Sequence, residues 1–338
     1  MENKGIIATK LSKGSGLGNQ LFYYVTTRAL ALEQGFDFAV FGSEFMANNI
    51  HSDCGLYFMD LDYGRTDVPE GKFTLYKERE DRLYIPNSWH DITHGCYVAG
   101  ADEKLFHLEN GMLLQGNLQD ESYYIKYIKE IKQWLKVKEE YECNDFADDD
   151  ICVLHVRCGD YLGNRELLLR NDYWLHGIRE FRKINSAMKF VAVTNGVEEA
   201  KKMLPPEVDV YNFDISKDYS ILKNAKYLLL GNSSFAYFPA LTNENVKRII
   251  APKYWARYNV SDGYWASEQN IYSNFEYMDR KGQIFSADEC WDELQRYKER
   301  KNFKSRINKK PGKLDKARYH IKDYWYRGAY KVKRLLKG

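Results

Sequence analysis

The sequence predicts an α/β protein of two domains, with a parallel sheet at the centre of the second. Three observations lead there. The chain has 338 residues and 44% hydrophobic content, enough for two cores of ordinary size. After residue 150, short apolar runs alternate with helix-periodic segments, the rhythm of a parallel sheet. The third is the stretch ICVLHVRCGDY, residues 151–161. Its apolar, β-branched start suits a strand buried on both faces, and it ends abruptly in Arg157, Gly159 and Asp160. Ligands of open α/β sheets bind beyond the carboxyl ends of the strands, so this end marks a candidate site. Arg157 is a planar, permanent cation suited to a diphosphate. Gly159 permits a tight turn, and Asp160 can orient the arginine or accept a hydroxyl. Taken alone, the same pair equally caps a strand end as a structural ion pair.

From the N-terminus, residues 5–11 read as a strand and Gly14, Gly16 and Gly18 as the turn after it. Residues 19–34 follow as a helix, with Leu21, Val25, Ala29 and Leu32 on one face and Gly35 as its stop. Strand, glycine turn and helix N-terminus make an anion or sugar site, and equally a structural loop. Residues 40–115 are Tyr- and Phe-rich runs broken by Gly and Pro, an irregular α/β region with long loops. A strand at 112–116 and a helix over 121–137 precede the acidic segment 138–150, the expected inter-domain boundary. The second half then reads as strands at 151–156, 190–194, 208–211, 227–230 and 248–251. Helices are expected at 172–184, 197–204 and 218–224. The run at 227–230 ends in GNSSF, where Asn232, Ser233 and Ser234 are N-cap residues by type that also offer hydroxyls and amides to a diphosphate. Trp255, Tyr258, Tyr264 and Trp265 suit a sugar-stacking surface or a core.

Six cysteines without metal-ligand spacing are expected as free thiols of a reducing compartment. Cys158 alone lies beside the candidate site, with no base in view. The chain starts without an apolar leader core and has no run of about 18 apolar residues, so a cytoplasmic protein is expected. The net charge of +2 conceals an asymmetry. From Arg300 onward, fifteen Lys and Arg face only Asp315 and Asp323, a net of +13 that leaves −11 on the first 299 residues. Leu314, Ala317, Ile321, Trp325, Gly328, Val332 and Leu335 form one stripe among those cations. This fits a basic amphipathic helix lying on an anionic membrane, with a helix packed back on the body, or a nucleic-acid contact, as the competing readings.

Three segments, each at an expected strand end, together resemble one family. GSGLGNQLFYYVTTRALA (14–31), HVRCGDY (155–161) and LLLGNSSFAYFPA (228–240) resemble the signature segments of the bacterial α-1,2-fucosyltransferases, glycosyltransferase family 11. The resemblance implies a GT-B-like fold of two Rossmann-type domains facing a cleft. The acidic segment and the basic tail set the bounds at 1–145, 146–298 and 299–338, and the resemblance implies an acceptor-side first domain and a nucleotide-sugar second one. It also implies inverting transfer of L-fucose from GDP-fucose to a sugar hydroxyl of a surface-glycan precursor, with no metal cofactor required. Carried over, Arg157 would hold the diphosphate, with His155 and Asp160 beside it. Asn232, Ser233, Ser234 and Phe235 would bind the nucleotide end, and Gly18, Asn19 and Gln20 would face the fucose. The chain departs from the family pattern at Cys158, where a second arginine is usual, and at Thr194-Asn195-Gly196, where a Ser-Asp-Asp-like end is usual. Asp60-Leu-Asp62 has the DxD form that some glycosyltransferases use for Mn²⁺ or Mg²⁺, a match that chance readily supplies.

The chemistry follows from charge. Glycosyl transfer builds negative charge on the leaving diphosphate, and fixed donors aimed there are the largest catalytic term. Arg157 and the helix start at 232–235 are the natural donors. A base for the acceptor hydroxyl is left among Asp160, Glu166, Asp172 and His155, in that order. Two other functions fit the same residues: a transferase using another GDP- or UDP-hexose, and a non-catalytic sugar-nucleotide-binding protein.

Overall fold

The computed structural model describes residues 4–48, 53–83, 96–98, 100–162, 164, 166–261, 263–265, 267–300, 302–318, 320–321, 324–325 and 328. The first half opens with strand β1 (Ile6–Lys10), helix α1 (Leu17–Gln34) and strand β2 (Asp37–Phe41). Gly35 stops α1 in the left-handed conformation, its amide reaching back to the last turn. Strands β3 (Thr74–Lys77), β4 (Asp81–Leu83), β5 (Cys96–Val98) and β6 (Met112–Gln115) follow. β2, β1, β6 and β3 lie side by side in that order, all parallel, and β4 pairs antiparallel with β5.

The helix expected over 121–137 is two single 3₁₀ turns followed by a short α-helix, α2 (Ile128–Trp134). The reason is tertiary. Consecutive Tyr123 and Tyr124 are both fully buried, and their hydroxyls reach in different directions, Tyr123 to Glu78 and Tyr124 to Tyr237. Tyr124 takes φ −142°, which breaks the helical run. The acidic segment that follows is pinned rather than loose. Glu142 accepts hydrogen bonds from Lys223 Nζ (2.6 Å), Asn224 Nδ2 (2.9 Å) and the Ser220 hydroxyl (3.1 Å).

The second half contains β7 (Ile151–Val156), α3 (Asn171–Arg182), β8 (Lys189–Thr194), α4 (Val197–Met203), β9 (Val208–Tyr211), α5 (Ile215–Asn224) and β10 (Tyr227–Leu230). It continues with α6 (Tyr237–Thr242), β11 (Arg248–Pro252), β12 (Glu276–Met278), β13 (Ile284–Phe285) and α7 (Ala287–Lys298). Its seven strands are ordered β13-β12-β11-β10-β7-β8-β9, parallel except for β13. All six residues of β7 are buried, as its composition requires. Alternate residues face different cores: Ile151 and Val153 one side, Cys152, Leu154 and Val156 the other. Trp255, Tyr258, Tyr264 and Trp265 are buried core residues.

The two parallel sheets share one hydrophobic core. Phe22 of α1 stacks on Tyr237 of α6 with ring centroids 4.9 Å apart, and Tyr237 packs on Tyr272 at 4.0 Å. The Tyr124 and Tyr237 hydroxyls are 3.0 Å apart. A polar seam lies beside this cluster. Buried Glu78 accepts from Leu118 N–H (2.9 Å), the Tyr123 hydroxyl (3.0 Å) and Gln269 Nε2 (2.7 Å), and Asn270 Nδ2 donates to Gln119 Oε1 (2.8 Å). Burial pushes the Glu78 carboxyl up despite these donors.

Beyond α7, Asn308 N–H donates to the Arg82 carbonyl (2.6 Å), which ties the chain to β4. Residues 313–318, 320–321, 324–325 and 328 are helical and, apart from half-buried Asp315, exposed. Among the described residues of this stripe, none is packed on the body, which removes the packed-back reading for them.

Replacing Tyr237 by Ala leaves a cavity where both halves meet, and chemical denaturation should show a loss of about 3–5 kcal/mol. Tyr237→Phe keeps the stack and gives up only the hydroxyl contact, about 1 kcal/mol.

Candidate active site

Starting at β9, the seven strands of the large sheet stand third, second, first, fourth, fifth, sixth and seventh in their order along the chain. Direction therefore reverses between β7 and β10, the topological switch point at which open sheets bind ligands. A cleft of about 370 Å³ opens there, between the strand ends and the start of α1. His155 and Val156 come from the end of β7, Arg157 directly follows it, and Asp160 and Tyr161 come from the next turn. Val193, Thr194 and Asn195 come from the end of β8. Asn212, Phe213, Ile215 and Asp218 follow β9, and Ser233, Ser234 and Phe235 follow β10. The opposite wall is residues 14–19.

Arg157 Nε donates to Asp160 Oδ1 at 2.9 Å, and its guanidinium carbon lies 5.8 Å from the Tyr161 ring centroid. The carboxylate and the ring fix the direction of the fork. His155 is buried and stacked on Phe235, with ring centroids 5.7 Å apart. Burial, and then the Arg157 charge, lower its pKa to about 3, so it stands neutral. Its Nδ1 has no hydrogen-bond partner among the described residues. An imidazole this weakly basic cannot serve as an effective general base near neutrality.

Two chain segments touch at the mouth of the cleft. A Cβ on Gly18 would lie 2.3 Å from the carbonyl carbon of Ser234 and 2.4 Å from the Phe235 nitrogen, so only glycine lets α1 approach the turn after β10. That turn is capped by the Ser233 hydroxyl, which accepts from Phe235 N–H at 3.4 Å. Helix α1 itself begins at Gly16, with neither a side-chain cap nor an acidic residue in its first turn. An uncapped start on an 18-residue helix leaves amide hydrogens and the positive dipole end facing the cleft.

Of the residues expected from the sequence, Gly18, Asn19, His155, Arg157, Asp160, Ser233, Ser234 and Phe235 line this one cleft. Two do not. Gln20 is fully buried, donating through Nε2 to the Phe45 carbonyl (2.7 Å) and accepting from Ala47 N–H (2.9 Å). Successive helix residues point about 100° apart, so when Asn19 faces the cleft Gln20 faces the 45–47 loop, where Ala47 holds φ +56°. Asn232 is buried too, and its Nδ2 donates to the Leu167 carbonyl (2.9 Å), anchoring the loop beyond Asp160. Among the base candidates, Glu166 and Asp172 are not part of the lining, which leaves Asp160 beside the neutral His155. Burial raises the Cys158 thiol, the opposite of a nucleophile's requirement. Asp60 pairs with Lys138 (2.9 Å) and Asp62 with Arg28 (3.3 Å). No group of three His, Cys, Asp or Glu suited to a metal occurs among the described residues.

Two lining residues carry roles that the sequence reading did not assign. Asn195 Oδ1 accepts from Cys158 N–H (2.8 Å), and its amide nitrogen would stand 2.2 Å from any Cβ at Gly159, whose φ is +29°. Gly159 is thus dictated by Asn195. Asp218, in the first turn of α5, has one carboxyl oxygen buried without a partner among the described residues. Burial, aided by nearby Asp214, raises its pKa to about 8. The signal that would have found both is position: Asn195 directly follows β8, and Asp218 lies in the first turn of the helix after β9.

The sequence model of Glycosyl transferase family 11 matches residues 98–278, more than half of the chain. The chain belongs to glycosyl transferase family 11. The match includes Arg157, Asp160 and the 233–235 turn, while the start of α1 lies outside it. This family 11 chain is also 22% identical over 280 residues to an α-1,2-colitosyltransferase of Escherichia coli, covering 74% of this chain and 92% of that one. Among solved structures, it is similar to the fucosyltransferase NodZ from Bradyrhizobium, with a TM-score of 0.44 and 13% identity over 73% of this chain and 95% of that one. POFUT1 in complex with GDP-fucose is similar at a TM-score of 0.41 and 10% identity, over 74% and 96% of the two chains.

Gly18→Ala should disturb fold and site together. The forced gap at Ser234–Phe235 lowers the thermal midpoint by several degrees and weakens nucleotide binding, both readable in one thermal-shift titration.

Proposed function

We propose that this family 11 glycosyltransferase transfers L-fucose from GDP-fucose, with inversion, to a hydroxyl of a surface-glycan precursor, forming an α-1,2 linkage. The observation that carries the donor assignment is the convergence of Arg157, the uncapped start of α1 and the turn at 233–235 on one cleft at the switch point. These are three sources of fixed positive potential from three different segments. A diphosphate seated among them leaves as a stabilised anion while the sugar acquires oxocarbenium character. Fixed cationic and amide donors supply this stabilisation without a metal. Asp160 orients Arg157 and lies within the cleft to take the acceptor's proton, and Asn19 faces the sugar from the opposite wall.

The Asp218 carboxyl, one oxygen of which has no partner among the described residues, gives the nucleotide end its chemistry. An ionised carboxylate there matches the two adjacent N–H donors on the edge of guanine, and such charged bonds are worth about 1.5–3 kcal/mol. A uracil edge offers one such donor. The relative that transfers colitose favours a second reading, the same GDP site with a different 6-carbon sugar. The E. coli relative and the α-1,2 linkage in its name also support the linkage proposed. The acceptor is proposed to meet the enzyme at the inner face of a membrane, where lipid-linked precursors are presented. No helix among the described residues is long and apolar enough to cross one.

Thermal shift with GDP, GDP-fucose, UDP and UDP-sugars, each with and without EDTA, tests the donor. A GDP-selective, EDTA-insensitive shift that disappears in Arg157→Ala is expected. Turnover with GDP-fucose should fall about 10²–10³-fold in the same variant. A UDP-selective or metal-dependent shift would overturn the donor assignment, and binding without turnover on any acceptor would favour a binding protein.

The Asp218 assignment has a pH signature. Below about 8 its carboxyl is protonated in the free protein, so binding guanine as a carboxylate releases a proton. Affinity for GDP should therefore rise with pH, by up to about tenfold per unit, and level off above 8. Folding shows the opposite sign, since the unfolded carboxyl has already lost its proton and stability falls as pH rises toward 8. Asp218→Asn should abolish the pH slope of GDP affinity and narrow the preference over UDP; calorimetric titration at several pH values reads both.

A further inference from the structure

The C-terminal segment carries an apolar face that no other described residue covers. Where described between 313 and 328, it is helical. Leu314 is 77% exposed, Ile321 61%, Tyr324 81% and Trp325 74%. At about 100° per residue, these four, with Ala317 and Gly328, fall within an arc of about 100° on one side of a helix. Large apolar side chains left this exposed on one stripe mark a contact surface, since scattered exposure would not align.

We propose that this face inserts into the headgroup region of an anionic lipid membrane and holds the enzyme there. Charge selects the partner. The segment from Arg300 carries +13 against −11 on the rest of the chain, so an anionic bilayer attracts the tail and repels the body. A second copy of this chain would bring two tails of like charge together, which disfavours self-pairing through this face. The residue types fit the depth: Leu and Ile for the acyl boundary, Trp and Tyr for the interface, and Lys or Arg at 313, 316 and 318 for the headgroups. The tail's root is fixed to the body through Asn308 and Arg82, so the attachment constrains the whole enzyme rather than a free tether. This surface serves the proposed transfer to membrane-presented acceptors but does not depend on the donor assignment, because it uses no residue of the cleft.

The test is co-sedimentation of the full chain with vesicles of phosphatidylcholine alone and of phosphatidylcholine with phosphatidylglycerol. A chain ending at residue 311 and a triple variant, Leu314→Ser, Ile321→Ser and Trp325→Ser, are run alongside. GDP thermal shift on each variant reports the cleft independently, and sedimentation velocity reports oligomeric state. Binding to the anionic vesicles alone, lost on truncation and weakened about tenfold or more in the triple variant at unchanged charge, is the expected result. Binding that survives truncation, binding equal in the triple variant, or no vesicle binding by the full chain overturns the proposal. A shift from dimer to monomer in the triple variant, or tighter binding to a single-stranded RNA than to vesicles, overturns it in favour of a second copy or of nucleic acid. Because GDP binding is read separately, loss of the donor assignment and loss of this surface are distinguishable.

Discussion

The structure depends on the burial of Phe22, Tyr124, Tyr237 and Tyr272 against one another. These rings come from α1, the turn before α2, α6 and the loop before β12, so two sheets far apart in sequence close over one apolar cluster. Aromatic side chains combine large buried area with preferred ring geometry, which fixes the spacing as well as the stability. The spacing matters because α1 and the 233–236 turn both leave this cluster heading into the cleft. Gly18 against Ser234 is the point where that spacing is tightest.

Electrostatics in the cleft is divided by burial. Arg157 keeps a fixed charge because guanidinium resists deprotonation and Asp160 orients it. His155 and Asp218, under the same desolvation, shed theirs in opposite senses, one losing its proton and the other keeping it. The resting site thus keeps the Arg157 charge, which does not titrate near neutrality, while buried His155 and Asp218 stand neutral. An incoming diphosphate meets attraction without a compensating carboxylate at the nucleotide end.

Much of this was legible in the sequence, because the relevant signals are local. β7 was readable from six apolar residues ending in a charge, α1 from its apolar stripe and Gly35, and the switch-point loops from where strands stop. The three segments that meet in the cleft were recognised as separate motifs, and their meeting required the fold. Gln20 and Asn232 stand outside the cleft lining for a reason that spacing cannot reveal: a polar residue inside a motif can spend its hydrogen bonds holding a neighbouring loop. Asp218 escaped because one acid on an amphipathic helix looks like any other until burial strips its partners. The 121–137 region failed where tertiary demands on Tyr123 and Tyr124 overrode helical periodicity.

The shared core also governs how the molecule can move. Enzymes with two lobes around a cleft commonly open by rotation about a hinge, which requires few contacts between the lobes. Here the apolar cluster and the Glu78 seam join both sheets, so a hinge rotation would have to break the most buried part of the molecule. It follows that the two halves melt together, as a single cooperative unit with one transition, rather than as two lobes in succession.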